Sequence, residues 1–261
     1  MATITQHAPG TFSWPELATT DQNGAKTFYT SLFGWTFNDN DMGGGEVYTM
    51  LQLAGRDLGA LYTMRKEEQS TGVPTHWNSY VTVESADASA AKAKSLGGTV
   101  FAEPFDVMDV GRMAVIQDPT GAVFCLWQPK KHTGAGVLGE VGSLCWTELM
   151  TGDLKKAEAF YTGLFGWKTE PMPGPVQYTV FKRGDQSAGG AMQITPEMGP
   201  IPPNWTVYFS VADCDAIAAK TTALGGKIIR PPADIPNIGR FAILTDPQGG
   251  VFAVIKLEQM G

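Results

Sequence analysis

Residues 10–37 read GTFSWPELATTDQNGAKTFYTSLFGWTF and residues 142–169 read GSLCWTELMTGDLKKAEAFYTGLFGWKT, in register at an offset of 132. Trp14, Glu16, Asp21, Ala25, Phe28, Tyr29, Leu32, Phe33, Gly34 and Trp35 return as Trp146, Glu148, Asp153, Ala157, Phe160, Tyr161, Leu164, Phe165, Gly166 and Trp167. Whatever the first half of the chain builds, the second half must build again. A length of 261 residues leaves one or two domains open. The repeat settles on two, over 1–128 and 142–261, with the Gly-containing, basic segment 129–141 as connector.

Each copy reads strand, helix, three strands, performed twice. Phe12–Ala18 has the length and composition of a strand. After it Asp21 suits a helix N-cap, and Ala25, Phe28, Tyr29, Leu32 and Phe33 form one apolar stripe at helical spacing. Gly34 then ends the helix, since a left-handed C′ residue costs least as glycine. Strands are expected from Trp35, over Val47–Leu53 and over Leu58–Met64, with Arg65–Thr75 as loop. Trp77–Val83 is a further strand, Ser85 caps a second helix, and Thr99–Phe105, Arg112–Gln117 and Val123–Trp127 complete the set. The last two are joined by Asp118-Pro119-Thr120-Gly121, a hairpin turn sequence. In the second copy the offset falls to 128 at Trp205, so four residues are lost between positions 38 and 76 of the first copy.

Composition narrows the function classes. A net charge of −7, with 17% charged residues and no long runs, argues against a nucleic-acid surface and against a polybasic membrane binder. No signal-peptide pattern or spanning apolar run is evident, so a soluble, cytoplasmic protein is expected. The three cysteines, Cys125, Cys145 and Cys214, lie singly and read as core thiols. Of three histidines, His7 and His132 fall in lead-in and connector, and His76 reads as a loop residue whose counterpart is Asn204.

The strand ending Thr-x-Asp, the AxxFYTxLFGW helix, the alanine-rich helix ending Leu-Gly-Gly and the GRxAxxxDPxG hairpin together resemble the vicinal oxygen chelate superfamily. This group contains the glyoxalases, bleomycin-resistance proteins and extradiol dioxygenases. The resemblance covers nearly the whole chain and implies an α+β protein of two tandem glyoxalase-like domains. Each would be a pair of βαβββ modules forming a curved mixed sheet around a cavity. It also implies four metal-ligand positions per domain. In this sequence those positions fall on Trp14 and Trp146, on Trp77 and Trp205, on Cys125 and Ala253, and within Gly59–Thr63 or Gly189–Gln193. Indole offers no lone pair to a divalent cation, so the expectation is no metal and no cofactor.

Strand alternation puts Trp14, Glu16 and Ala18 on one face, and Trp146, Glu148 and Met150 likewise. The expected site is therefore an aromatic-walled cavity. Trp14, Trp77, Trp146 and Trp205 are its candidate ligand-binding residues, Arg112 and Arg240 candidates for an anionic group, and Glu16 and Glu148 candidate general bases. Tyr48 corresponds to Tyr178 and Tyr80 to Tyr208. Tyr80 has opposite parity to Trp77 and is expected to face the helices. The same residues also suit packing and structural salt bridges. The leading functional reading is a metal-free binder of a small hydrophobic or aromatic molecule, acting as monomer or homodimer. The alternatives are a glyoxalase-like enzyme using Glu16 or Glu148, and an interaction protein with filled cavities.

Overall fold

A computed structural model describes residues 3–70, 72–174 and 176–258. Met1 and Ala2 of the expected lead-in, Thr71 of the expected loop, and residues 175 and 259–261 of the second domain lie outside those ranges. The first domain runs β1 (Phe12–Thr19), α1 (Gln22–Phe33), β2 (Thr36–Gly43), β3 (Glu46–Leu53), β4 (Arg56–Thr63), α2 (Lys66–Ser70), β5 (His76–Thr82), α3 (Ala86–Ser95), β6 (Thr99–Val107), β7 (Gly111–Gln117) and β8 (Val123–Pro129). The second runs β9 (Leu144–Thr151), α4 (Leu154–Phe165), β10 (Lys168–Met172), β11 (Tyr178–Arg183), β12 (Gln186–Gln193), β13 (Asn204–Ser210), α5 (Cys214–Ala223), β14 (Lys227–Ile235), β15 (Gly239–Thr245) and β16 (Val251–Leu257). Short helix α2 occupies part of the segment expected to be loop, and a 3-10 turn at Pro196–Met198 takes its place in the second copy.

Each domain is one eight-stranded mixed sheet, ordered β2-β3-β4-β1-β5-β8-β7-β6 and β10-β11-β12-β9-β13-β16-β15-β14. Local chemistry sets the elements. Asp21 caps α1 by accepting from the Gly24 amide, and Asp153 does the same for Lys156 in α4. Gly34 and Gly166 close these helices at φ of 74° and 70°.

The two domains do not keep separate cores. The α1 stripe of Ala25, Phe28, Tyr29 and Leu32 packs with Leu17 and Leu61 of its own domain, and equally with Val207, Phe209, Cys214 and Phe252 of the other. A matching cluster joins Val81, Ala90 and Phe124 to Ala157, Phe160 and Tyr161. The first half of each domain thus shares its helix-side core with the second half of the other. Polar bonds repeat the exchange. Tyr29 donates to Asp246 and Tyr161 to Asp118. Trp35 Nε1 donates to the Gly142 carbonyl and Trp167 Nε1 to the Gly10 carbonyl. Residues 129–141 are docked rather than loose. The Ala135 and Gly136 amides donate to the Ser13 and Asp57 carbonyls, and Arg56 makes a two-pronged pair with Glu140 at 2.7 and 2.8 Å.

Candidate functional site

The helices cover one face of each sheet, which leaves the other face to form a concave site. Sheet register decides what faces it. β5 runs antiparallel to β1 with Tyr80 opposite Trp14 and Asn78 opposite Glu16, while β3 and β4 place Tyr48 opposite Tyr62. Residues directly opposite across a ladder share a face, so all six converge there. Glu16 is buried, and both of its oxygens accept from phenols: Tyr48 Oη to Oε2 at 2.7 Å and Tyr80 Oη to Oε1 at 2.8 Å. Trp14 Nε1 donates to the Tyr48 oxygen at 3.3 Å, completing a relay from indole to phenol to carboxylate.

The second domain rebuilds this arrangement. Tyr208 Oη donates to Glu148 Oε1 at 2.7 Å, and Trp146 Nε1 donates to Tyr178 Oη at 3.0 Å. Gly190 leaves the room this needs, since a Cβ there would stand 1.9 Å from the Tyr178 hydroxyl. Burial raises the pKa of Glu16 and Glu148, because a desolvated carboxylate favours its neutral form, and the tyrosine hydrogen bonds pull partly the other way.

The structure corrects several expected orientations. Trp77 and Trp205 border the cleft, but their rings turn to the helix side. Their rings lie in the cores shared between domains, and each Nε1 donates to a buried phenol, Tyr29 at 3.0 Å and Tyr161 at 2.8 Å. Tyr80, expected against the helices, takes the cavity face instead, as does its counterpart Tyr208. Each face of β5 carries one large aromatic ring, Trp77 on one and Tyr80 on the other, so alternation separates the two without showing which meets which side. Trp14 faces the site side, but its ring packs with Tyr80, Cys125 and Trp127 and stands edge-on to His132 at 4.4 Å. It braces the wall from behind, and Trp146 packs in the corresponding cluster with Tyr208 and Phe241.

Arg112 and Arg240 are held in ion pairs outside the cleft. Arg112 grips Asp87 at 2.7 and 2.9 Å and Asp106 at 3.3 Å, and Arg240 grips Asp215 at 2.6 and 2.9 Å and Asp234 at 2.9 Å. Glu16 and Glu148 stand where they were expected. His76 is not a loop residue: it opens β5 opposite Ala18 and borders the cleft. His7 is buried in the lead-in, its Nε2 2.8 Å from the Ala135 carbonyl oxygen. Cys125 borders the site, with its thiol pushed up by burial, which suits an inert core thiol better than a nucleophile.

Both concave faces open into one continuous cleft of about 1810 Å³. Glu16, Tyr48, Tyr62, Tyr80, Met113 and Cys125 line its first end, and Glu148, Met150, Thr206, Tyr208 and Ile243 line the second. The resemblance implies a divalent metal, and the side chains present do not fit one. Among the described residues no three of His, Cys, Asp and Glu cluster as ligands, and the buried carboxylate at the centre of each site already accepts from phenol.

A family model described as "Glyoxalase/Bleomycin resistance protein/Dioxygenase superfamily" matches residues 11–126 and 143–254. The chain is 46% identical over 254 residues to "Putative glyoxylase CFP32" of Mycobacterium tuberculosis, covering 96% of each. It is 34% identical to "Anthracycline biosynthesis protein DnrV" of Streptomyces peucetius, covering 98% of this chain and 96% of that one. Among solved structures, the Mn(II)-bound glyoxalase from Novosphingobium aromaticivorans superposes with a TM-score of 0.66 at 15% identity, over 99% of this chain and 84% of that one. At that identity the likeness is one of fold.

Proposed function

This chain belongs to the glyoxalase/bleomycin resistance protein/dioxygenase superfamily, and from that premise we propose that it binds hydrophobic, aromatic small molecules in its two concave sites without a metal. The observation that carries this reading is the twice-built wall of phenols around a buried glutamate. Tyrosine rings offer a flat apolar surface for stacking, and the carboxylate accepts a hydrogen bond from a ligand hydroxyl or attracts a cationic group. Ligand sites are commonly about 300–1,000 Å³, so a cleft of about 1810 Å³ has room for one ligand in each domain. The name of the Streptomyces relative supports a polycyclic aromatic among the molecules of interest.

The test is to fill each end and measure binding of the neutral planar dye N-phenyl-1-naphthylamine by its fluorescence. Met113→Trp should remove one site, Ile243→Trp the other, and the double variant should bind no dye while keeping its circular dichroism spectrum. Undiminished binding in the folded double variant overturns the reading.

A second reading is favoured by the raised pKa of the two glutamates: an enzyme in which Glu16 or Glu148 moves a proton as general base. The name of the mycobacterial relative supports it. Glu16→Gln and Glu148→Gln should then abolish turnover of an enolisable carbonyl substrate while leaving dye binding intact.

A further inference from the structure

The two concave sites share their glutamate, phenols and indole but not their charge, and one difference lies on β14. In β14, Arg230 stands opposite Ile243 across the ladder to β15; in β6, Ala102 stands opposite Val115 across the ladder to β7. Ile243, Val115 and Ala102 line the cleft, as does Ile229 beside Arg230; the pairing with Ile243 puts Arg230 on the same side of the second sheet, at the margin of the cleft, where the first domain has a methyl group.

The Arg230 guanidinium lies over the Phe241 ring at 4.8 Å. Phe241 stacks on Tyr208 at 6.5 Å, and Tyr208 holds Glu148 at 2.7 Å. No carboxylate of the described residues is within ion-pair distance of Arg230, whereas Arg112 and Arg240 are each paired with two aspartates. A cation resting on an aromatic face keeps its edge donors available. Its charge is already felt inside the site, where it opposes the effect of burial on Glu148 and Tyr208. The first end of the cleft also has cations, Lys26, Arg65 and Lys66, but acids outnumber them: Lys26 pairs with Asp39 at 2.9 Å, Arg65 lies 3.9 Å from Glu46, and Glu16, Glu67 and Glu68 line the same end.

We propose that Arg230 makes the second site selective for ligands bearing an anionic group, a carboxylate, sulfonate or phosphate, beside an apolar or aromatic body, while the first site takes uncharged ones. The inference rests on the reading of the two concave faces as binding sites. It gives each copy of the repeat a different substrate class.

Two dyes of similar shape separate the possibilities on the full chain: neutral N-phenyl-1-naphthylamine and anionic 1-anilinonaphthalene-8-sulfonate. Arg230 is exposed on an edge strand, so Arg230→Ala should fold. The substitution should weaken the sulfonate dye roughly tenfold, the scale of one charge-assisted hydrogen bond, and leave the neutral dye unchanged. Arg230→Lys should restore most of the sulfonate affinity, and Ala102→Arg should add a second sulfonate site. Equal weakening of both dyes in Arg230→Ala, or no change in either, overturns the selectivity while leaving the binding reading standing. Absence of binding by both dyes to the unaltered protein overturns both.

Discussion

Glu16 is the residue at which the energetic cost of this site concentrates. Its carboxylate is buried between Tyr48 and Tyr80, and burial outweighs their hydrogen bonds, so its pKa is raised in the folded state. A group with a raised folded pKa contributes stability that is fully present below its unfolded pKa and is lost as pH rises through the folded one. The unaltered protein should therefore lose stability through that window, and Glu16→Gln, which cannot ionise, should lose less. Urea unfolding at pH 4.5 and pH 8 checks this: the variant should gain on the unaltered protein at the higher pH. An unchanged difference between the two would place the cost elsewhere. That Glu16 shares a face with Trp14 was legible from their spacing, and the family resemblance implied that this face meets a cavity. That phenols would clasp it was not, because Tyr48 and Tyr80 come from strands whose register is set only when the sheet forms.

At the level of elements, the bond from one domain's first helix to the other's hairpin turn is the most exacting contact. In α4, Tyr161 accepts from Trp205 Nε1 at 2.8 Å and donates to Asp118 Oδ2 at 2.8 Å, while Asp118 Oδ1 holds the amides of its own turn. Removing the phenol strands a buried indole N–H and a buried carboxylate oxygen. Tyr161→Phe should cost about 1–3 kcal/mol, read from the urea midpoint. Tyr29→Phe, which strands Trp77 and Asp246 in the same way, should cost a similar amount. The helices and their caps were plain in the sequence, since caps and stripes are local chemistry. Their partners were not: an apolar stripe states that a helix is covered, not by which half of the chain.

For the molecule as a whole, the shared cores make the two halves one cooperative unit. Calorimetry should show a single transition, shifted as a unit by Tyr29→Phe and by Tyr161→Phe; two resolved transitions would mean independent domains. Among the described residues, no helix is long and apolar enough to cross a membrane. The repeat, the element order, the family fold and the lack of cation-holding side chains at the expected positions were all fixed by residue types and spacings along the chain. Tertiary structure alone decided that Trp77 and Trp205 belong to the interdomain core, that tyrosines wall the site, and that Arg230 stands opposite Ile243 where the first domain has Ala102 opposite Val115. Period-two patterning assigns residues to alternate faces of a strand, but only packing against the other half of the chain decides which face becomes the core and which is left open to a ligand.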